Sequence, residues 1–357
     1  MKQIKVAILG QGRSGYAIHG KHLLTDTERF KVVAVVDKLP ERREKAQRVF
    51  GCSVYEDYTE LFGKNDEIDL VINSFPSPFH HPVTVDLLNH GFNVLCEKPA
   101  AKTPEMIDEM EAAAKKNGKT LAIFQQSRFA PYFNKVQEVI NSGKLGRIVQ
   151  ISIAFSGYAR RWDWQCIQDN VAGSLYNTGP HPLDQALYLL GNEDEMPTVI
   201  CKMDNANSFG DAEDYVKLIL TMPGKPLIDM EISSCDGYSW GTYKIMGTQG
   251  SLCGSQTHLD WKWFVPEEAP EQHLIRTPLT GADGEPAYCG EKLTWHTDSW
   301  DAKQDENAFV SAVYTYYTHL YNKLTEGIEM PVTIKQVRRQ IAVIDEAHRQ
   351  NPMPKLK

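Results

Sequence analysis

The chain has 357 residues and a formal net charge of −8 at pH 7; this length predicts two domains, and the negative charge argues against nucleic acid or a membrane surface as partners. Its seven cysteines are scattered, and neither they nor the histidines show metal-ligand spacing, which predicts a reducing compartment and no metal site. Because no apolar run approaches the roughly 20 residues that span a bilayer, we expect a soluble, cytoplasmic protein.

The first third of the chain alternates strand-like and helix-like segments, as a parallel sheet with crossover helices does. Its continuous Val and Ile runs suit strands that are buried on both faces. The predicted strands are 4–9, 31–36, 69–74, 93–96 and 120–125, and the predicted helices are 15–24, 40–50, 57–62, 81–90 and 104–117. We therefore predict a doubly wound parallel sheet in this part of the chain.

The pattern changes after a predicted helix that ends at Gly143. From there, β-forming residues cluster without regular helices between them, which is typical of an antiparallel sheet. The predicted strands are 147–156, 198–204, 214–222, 226–234 and 242–246, and the predicted helices are one within 130–146 that ends at Gly143, one at about 303–326 and one at 333–350. The sequence thus predicts an α/β protein with domains 1–125 and 126–357, the second an α+β domain with a large, open, mostly antiparallel sheet.

The stretch "GQGRSG" places Gly10, Gly12 and Gly15 directly after the first strand and at the start of a helix. In that context Gly10 permits a tight turn, Gly12 allows close approach to a pyrophosphate, and Gly15 allows the helix to pack on the strand. Asp37 ends the second strand, where a carboxylate accepts hydrogen bonds from ribose hydroxyls. A purely structural βα turn is the alternative, and together these features favour a dinucleotide site.

The same carboxylate indicates which dinucleotide is bound. Asp37 would repel a 2′-phosphate, so the sequence favours NAD over NADP. Lys38, Arg42 and Arg43 follow closely and would weaken that repulsion, although they also suit a solvated helix start.

Five motifs in order carry a resemblance to a known family. They are "GQGRSG", "SFPSPFH" (74–80), "CEKP" (96–99), "GSLYNTGPHPLD" (173–184) and "GTQGSL" (247–252). Over nearly its whole length the chain resembles the Gfo/Idh/MocA family of sugar and polyol oxidoreductases. The resemblance implies an N-terminal Rossmann domain and a C-terminal domain whose open sheet commonly forms the interface of a homo-oligomer.

The resemblance also implies which residues hold the cofactor. Glu97 is read as an orienting residue or a contact at the edge of the sugar. The predicted cofactor-binding residues are Gly10, Gln11, Gly12, Arg13, Ser14, Asp37, Ser74, Phe75, Pro76, His80, Glu97 and Lys98.

Lys98 is predicted to be catalytic. The resemblance places it beside the nicotinamide and the reacting carbon, where it contacts substrate and sometimes acts as the acid/base. It follows the carboxyl end of a parallel strand, where the ligand crevices of open α/β sheets lie, and Pro99 restricts its backbone. Desolvation and nearby cations lower the pKa of such a lysine, which suits proton transfer. A surface lysine at a strand end is the alternative.

His181 is the second predicted catalytic residue, since the matching family histidine is the usual general base. A helix start near Pro182 puts it at a helix N-terminus, where the dipole keeps the ring neutral. Asn177 stands where the family commonly has an aspartate, so this chain lacks the usual His/Asp dyad and Lys98 would carry more of the proton chemistry. Asp184 is one turn beyond and would partly compensate, or would be an ordinary first-turn carboxylate.

The loop "GYARRWDWQ" (157–165) supplies aromatic and guanidinium groups that suit a sugar ring. A core aromatic cluster is the alternative for one of its tryptophans. Weaker candidates to cover the site are Trp295 and His296. The predicted substrate-binding residues are Gln126, Arg128, Tyr158, Arg160, Trp162, Asn177 and Asp184.

We therefore expect an NAD-dependent oxidoreductase that moves hydride between a secondary hydroxyl of a sugar, glycoside or cyclic polyol and nicotinamide, with C3 of a glucoside as the specific hypothesis. Two alternatives share the fold. One is an NAD-using glycosidase that oxidises C3 transiently and eliminates the aglycone. The other is a non-catalytic NAD- and sugar-sensing regulator, against which the presence of Lys98 and His181 argues.

Overall fold

A computed structural model describes residues 2–191, 193–303 and 307–356 of the chain. Its first sheet has six parallel strands in the order β3-β2-β1-β4-β5-β6. The strands are β1 (Ile4–Leu9), β2 (Phe30–Val36), β3 (Ser53–Tyr55), β4 (Leu70–Asn73), β5 (Val94–Cys96) and β6 (Leu121–Ile123). The predicted doubly wound parallel sheet is confirmed, and the order reverses between β1 and β4, where such sheets bind ligands.

The second sheet has eight strands in the order β16-β13-β12-β11-β7-β10-β9-β8. Only β7 and β10 run parallel to each other among these described pairs, so the predicted mostly antiparallel sheet is also confirmed. Its strands are β7 (Ile148–Ser156), β8 (Thr198–Asp204), β9 (Tyr215–Thr221), β10 (Leu227–Ser233), β11 (Tyr243–Gly247), β12 (Gly250–Gly254), β13 (His258–Trp263) and β16 (His296–Asp301), and a separate ribbon pairs β14 (Leu279–Thr280) with β15 (Pro286–Ala287).

Several helices begin at a proline and end before a glycine, among them Pro40–Phe50, Pro104–Asn117 and Pro180–Leu190. Pro104 opens one helix, and Gly118 ends it in the left-handed conformation, which glycine adopts without strain. The α-helices are α1 (Lys21–Thr25), α2 (Pro40–Phe50), α3 (His80–Asn89), α4 (Pro104–Asn117), α5 (Pro131–Asn141), α6 (Ser174–Asn177), α7 (Pro180–Leu190), α8 (Ala308–Glu326) and α9 (Ile334–Gln350).

Several elements differ from the sequence predictions. The predicted helix 15–24 is a π-helix over Arg13–Gly20 that continues into α1, and predicted helix 57–62 is a 3₁₀ turn over Tyr58–Leu61. Strands β3 and β12 to β16 were not predicted. Among them, β3 is three residues long, β14 and β15 have two residues each, and β16 is mostly polar and exposed. Of the predicted late helix 303–326, residues 304–306 lie outside the described residues.

Helix α8 packs on the first sheet although it lies in the second half of the chain. Its Tyr316 and Tyr317 are fully buried in one cluster with Ile8 of β1. The Tyr316 hydroxyl donates a hydrogen bond to the carbonyl of Ile123 at 2.7 Å. The C-terminal region therefore covers one face of the N-terminal sheet. Among the described residues, no helix combines the length and apolar content that crossing a bilayer requires.

Candidate functional site

A cleft of about 1060 Å³ lies at the carboxyl ends of the first sheet's strands. It continues from the glycine turn after β1 to the start of α7, so residues from both halves of the chain line one space. The predicted site residues that line it are Gly10, Gly12, Arg13, Ser14, Asp37, Ser74, Phe75, Pro76, His80, Glu97, Lys98, Gln126, Asn177 and His181.

The glycine turn has the shape that a pyrophosphate needs. Gly10 has φ of +83°, which side-chain-bearing residues rarely adopt, and a Cβ on Gly15 would lie 1.8 Å from the carbonyl oxygen of Gly10. A Cβ on Gly12, in contrast, would meet no described atom within 4 Å. No described side chain caps the helix that begins at Arg13. The open position and the uncapped N–H groups fit the diphosphate of a dinucleotide.

Asp37 is fixed at the end of β2, where only 5% of its surface is exposed. Its Oδ2 accepts a hydrogen bond from the Gln11 N–H at 2.7 Å, and its Oδ1 accepts one from the Leu39 N–H at 2.9 Å. Arg42 Nη1 lies 3.4 Å from Oδ2. The backbone therefore orients the carboxylate in the cleft wall, as ribose recognition requires. Gln11 does not line the cleft; its backbone contact with Asp37 is what it contributes here.

His80 connects two cleft segments. Its Nε2 lies 2.7 Å from the carbonyl oxygen of Phe75 and its Nδ1 lies 2.7 Å from that of Pro99. Burial lowers the pKa of this imidazole, although both carbonyl contacts act in the opposite direction. The ring thus lies between the loop after β4 and the turn that carries Lys98, and in its neutral form it donates a hydrogen bond to one of the two carbonyls.

Lys98 lies at the centre of the cleft. Its Nζ donates a hydrogen bond to the backbone carbonyl of Asn177 at 2.7 Å, so it connects the two halves of the chain. Burial lowers the pKa of Lys98; Glu97 counteracts this, and the charges of Arg13 and Arg161 add to it. A lysine in this environment is a cation that can release a proton more readily than one in water.

Glu97 is buried next to Lys98 and contacts its backbone. Its Oε2 accepts a hydrogen bond from the Lys98 N–H at 3.0 Å, and its Oε1 lies 3.1 Å from Nε2 of His19. The other ring nitrogen of His19 lies 2.7 Å from the hydroxyl of Tyr317 in α8. Burial would raise the pKa of Glu97, but the hydrogen bond and charge of His19 and the charge of Lys98 hold it at about 2. Glu97 is therefore an ionised, buried counter-charge for Lys98.

His181 lies in the first turn of α7, and its Nδ1 is 3.2 Å from Oγ of Ser127. Burial, with a further contribution from the positive charge of Lys98, lowers the pKa of His181 to about 3. The imidazole is therefore neutral at physiological pH. When Nδ1–H donates to Ser127, Nε2 carries a lone pair and can accept a proton.

Asn177 ends the short helix α6. Its Oδ1 accepts a hydrogen bond from Gln165 Nε2 at 3.3 Å, and the Oε1 of Gln165 accepts one from Arg161 Nη2. Arg161 also pairs with Asp163 at 2.6 Å. The side chain of Asn177 is thus held by a chain of polar groups that line the cleft.

Two predicted substrate-binding residues do not line the cleft. Arg128 and Asp184 form a bidentate ion pair with distances of 2.7 and 2.5 Å, and they are only 5% and 3% exposed. Arg128 also donates to Gln336 Oε1 at 3.2 Å and lies over the ring of Tyr188. This placement favours a role in holding the fold together over contact with a substrate.

The aromatic loop presents different side chains to the cleft from those that we predicted. Tyr158 and Trp162 are 68% and 80% exposed, and Arg160 lies over the ring of Phe209. None of the three lines the cleft. Instead, their neighbours Arg161, Asp163, Trp164 and Gln165 line it.

The two weaker candidates also lie elsewhere. Trp295 packs beside Lys262 and Phe264, and His296 contacts Glu268 at 2.7 Å. Neither lines the cleft, so the structure does not bring them to the other predicted residues.

Three residues at or beside the cleft are not among the predicted site residues, namely His19, Ser127 and Gln165. Ser127 lies between the predicted Gln126 and Arg128, and His19 lies in the helix after the glycine turn. A polar residue next to a predicted site residue was a usable signal for Ser127. Gln165 lies in the loop 157–165 that was predicted to contact substrate, which was a usable signal. For His19 no local signal existed, because its partners Glu97 and Tyr317 are distant in sequence.

The comparisons with known proteins agree with this geometry. Residues 4–125 match an oxidoreductase family with an NAD-binding Rossmann fold, named GFO/IDH/MocA, and residues 133–253 match the C-terminal domain of the same family.

Three of the similar proteins are named as dehydrogenases. The scyllo-inositol 2-dehydrogenase (NADP(+)) of Bacillus subtilis is 27% identical over 96% of this chain and 92% of its own length. The D-glucoside 3-dehydrogenase of Escherichia coli is 32% identical over 58% of each chain. The WlbA dehydrogenase of Bordetella pertussis, solved with NADH and UDP-GlcNAcA, shares the fold with a TM-score of 0.74 and 16% identity over 100% of this chain and 98% of its own.

Proposed function

Since the chain belongs to the Gfo/Idh/MocA family of oxidoreductases, we propose that it is an NAD-dependent dehydrogenase that moves hydride between a secondary hydroxyl of a sugar, glycoside or cyclic polyol and nicotinamide. The observation that carries this proposal is the placement of Lys98, His181 and Asn177 in one cleft with the glycine turn. A bound nicotinamide would supply the hydride chemistry, and the chain would supply orientation and proton transfer.

The proposed roles follow from the charge state of each group. In the tautomer whose Nδ1–H donates to Ser127 Oγ, the neutral His181 accepts the hydroxyl proton at Nε2. The Lys98 ammonium donates a hydrogen bond to the same oxygen and stabilises the negative charge that develops there. Glu97 keeps the local charge balanced, and Asn177 contacts a neighbouring oxygen of the substrate.

The proposal that NAD is preferred over NADP rests on Asp37. Its buried carboxylate is held by two backbone N–H groups and cannot turn away from a 2′-phosphate. Arg43 donates hydrogen bonds from Nη1 to the backbone carbonyls of Asp37 and Lys38. Of the two arginines, Arg42, whose Nη1 lies 3.4 Å from Asp37 Oδ2, is therefore the one available to a 2′-phosphate. The Bacillus subtilis relative is named as an NADP(+) enzyme. The two proteins would therefore differ in their preferred dinucleotide.

The similarity to D-glucoside 3-dehydrogenase supports C3 of a glucoside as the specific substrate position. Trp164 in the cleft wall offers a flat apolar surface of the kind on which sugar rings stack. Inositols remain the comparison substrates because of the scyllo-inositol dehydrogenase relative.

We also infer a homo-oligomer that forms through the second sheet. In β9 and β10 one face is buried, whereas the other carries half-exposed residues such as Lys217, Asp229 and Glu231. On the neighbouring β8, Ile200 is 59% exposed. A sheet face of this kind is commonly covered in an assembly. Light scattering coupled to gel filtration tests this, and a monomer at micromolar concentration would contradict it.

A spectrophotometric screen tests the proposed activity. Purified protein is incubated with NAD or NADP and with inositols, hexoses and aryl glucosides, while absorbance of the reduced cofactor and products are followed. We expect NADH together with an oxo-sugar. Release of the aglycone without net NADH would instead identify a glycosidase, and binding without turnover of any sugar would identify a sensor.

A further inference from the structure

Three side chains in the cleft wall, Arg161, Gln165 and Asn177, are linked by hydrogen bonds whose donors and acceptors follow from the chemistry of the groups. A guanidinium has only N–H donors, so the atom of Gln165 that contacts Arg161 is its carbonyl oxygen. The amide nitrogen of Gln165 must then contact Asn177. Because that nitrogen only donates, it meets the side-chain oxygen of Asn177. The orientation of both amides is thus determined by the arginine.

The remaining polar atom of Asn177 is its Nδ2. Among the described residues it makes no hydrogen bond, and it is not among the fully buried side-chain atoms that lack a partner. Since Asn177 is half-buried and lines the cleft, its open side is the cleft. Two N–H groups are therefore available to whatever binds there.

Two cationic side chains add further donors to the cleft. Lys98 Nζ uses one of its three N–H groups on the Asn177 carbonyl, and the Arg161 guanidinium lies in the same wall. Acceptors in the cleft include His181 Nε2, which we propose receives the proton of the reacting hydroxyl, and Gln126 Oε1, which is buried and has no partner among the described residues. A substrate oxygen beside the reacting carbon thus meets donors.

We propose that Gln165 is a positioning and specificity-determining residue that turns the Asn177 amide so that its N–H groups face an acceptor oxygen of the substrate. This inference rests on the proposed function and names the substrate class of the same site. The class is a glycoside, keto sugar or sugar acid whose ether, carbonyl or carboxylate oxygen accepts at Asn177.

The first test needs no substrate. Gln165→Glu replaces the amide donor by a carboxylate, so the Asn177 amide should rotate and donate to it. In protein labelled with ¹⁵N-asparagine, the Asn177 side-chain signal is identified by its loss in Asn177→Ser. We expect its N–H exchange with water to be fast in the wild type and at least roughly tenfold slower in Gln165→Glu, since hydrogen bonds to charged acceptors are the stronger ones.

Two further variants control this experiment. Gln165→Met removes both polar atoms and should leave the exchange fast, whereas Gln137→Glu adds the same charge on α5 outside the cleft and should change nothing. Exchange that is already slow in the wild type, or that is unchanged in Gln165→Glu, would overturn the proposed orientation.

The second test uses the best sugar from the activity screen and its deoxy and deoxyfluoro analogues at the positions beside the reacting carbon. Fluorine accepts a hydrogen bond but cannot donate one. At one position we expect the wild type to prefer fluoro over deoxy in kcat/KM by roughly tenfold, mainly through KM, and Gln165→Glu to lose that preference. Equal ratios in both proteins would overturn the specificity role. If no sugar is turned over, the proposed function fails, while the exchange experiment still decides the amide orientation.

Discussion

The buried ion pair between Arg128 and Asp184 is a sharp test of the fold. Replacing Asp184 with Ala leaves a buried guanidinium, and removing one partner of such a pair costs about 3–5 kcal/mol in the free energy of unfolding. Arg128 would keep its hydrogen bond to Gln336 and its contact with the Tyr188 ring. We therefore expect a loss near the lower value, about 3 kcal/mol.

The converse variant should cost more. Among the described residues, the side chain of Asp184 makes its two hydrogen bonds with Arg128, so Arg128→Met leaves the carboxylate with none of them. We expect about 5 kcal/mol for this variant. The double variant Arg128→Met/Asp184→Leu should lose far less than the sum, because no charge remains buried.

The assay is urea unfolding followed by two probes, with coincident transitions as the condition for comparing free energies. The control is Asp108→Ala, which removes an equally bidentate but half-exposed pair with Arg338 and should cost about 0–1 kcal/mol. If Asp184→Ala cost no more than the control, or if the effects of the two single variants added up in the double variant, the pair would not stabilise the fold as a buried ion pair. A raised KM at unchanged stability would instead restore a substrate-binding role for these residues.

Two further predictions concern the cleft. Gly12→Ala should leave the unfolding free energy nearly unchanged but weaken NAD binding at least roughly tenfold, because its Cβ projects into open space at the phosphate site. Gly15→Ala should lower both the unfolding free energy and the affinity for NAD, since its Cβ would collide with Gly10. Cofactor fluorescence titration checks this, and equal effects of the two variants would contradict it. Because the pKa of His181 is about 3, kcat/KM for alcohol oxidation should show no acidic limb from this base down to about pH 4. Lys98→Met removes a cation that lowers the pKa of His181, so the acidic limb of the residual activity should move to higher pH. An unmoved limb in the pH–rate profile would contradict that assignment.

The sequence was sufficient for the parts of the fold with strong periodic signals. Val and Ile runs predicted β1, β2 and β4, and Lys98 was placed in the cleft because it follows a strand end. The position of His181 followed from the apolar spacing of the helix after it. These inferences needed only local patterns and the rule that ligands lie at the carboxyl ends of parallel strands.

Other features depend on contacts that no local pattern reveals. The loop 157–165 has no strand periodicity over the residues that reach the cleft, so the sequence could not tell Trp162 from Trp164. Ser127 contacts His181 across 54 positions, and His19 contacts Glu97 across 78. Arg128 and Asp184 carry the residue types of a sugar site, yet they neutralise each other in the interior. Pairing between distant charged groups was the missing information.

We propose that the neutral imidazole of His181 takes the proton of a sugar hydroxyl in a cleft that also binds NAD. The most direct measurement compares wild type and His181→Asn for NAD affinity and for NADH formation with the best sugar of the screen. We expect an unchanged dissociation constant for NAD and a fall in kcat of roughly 10²- to 10⁴-fold, because the variant lacks the general base. A variant that reduces NAD at the wild-type rate would contradict it.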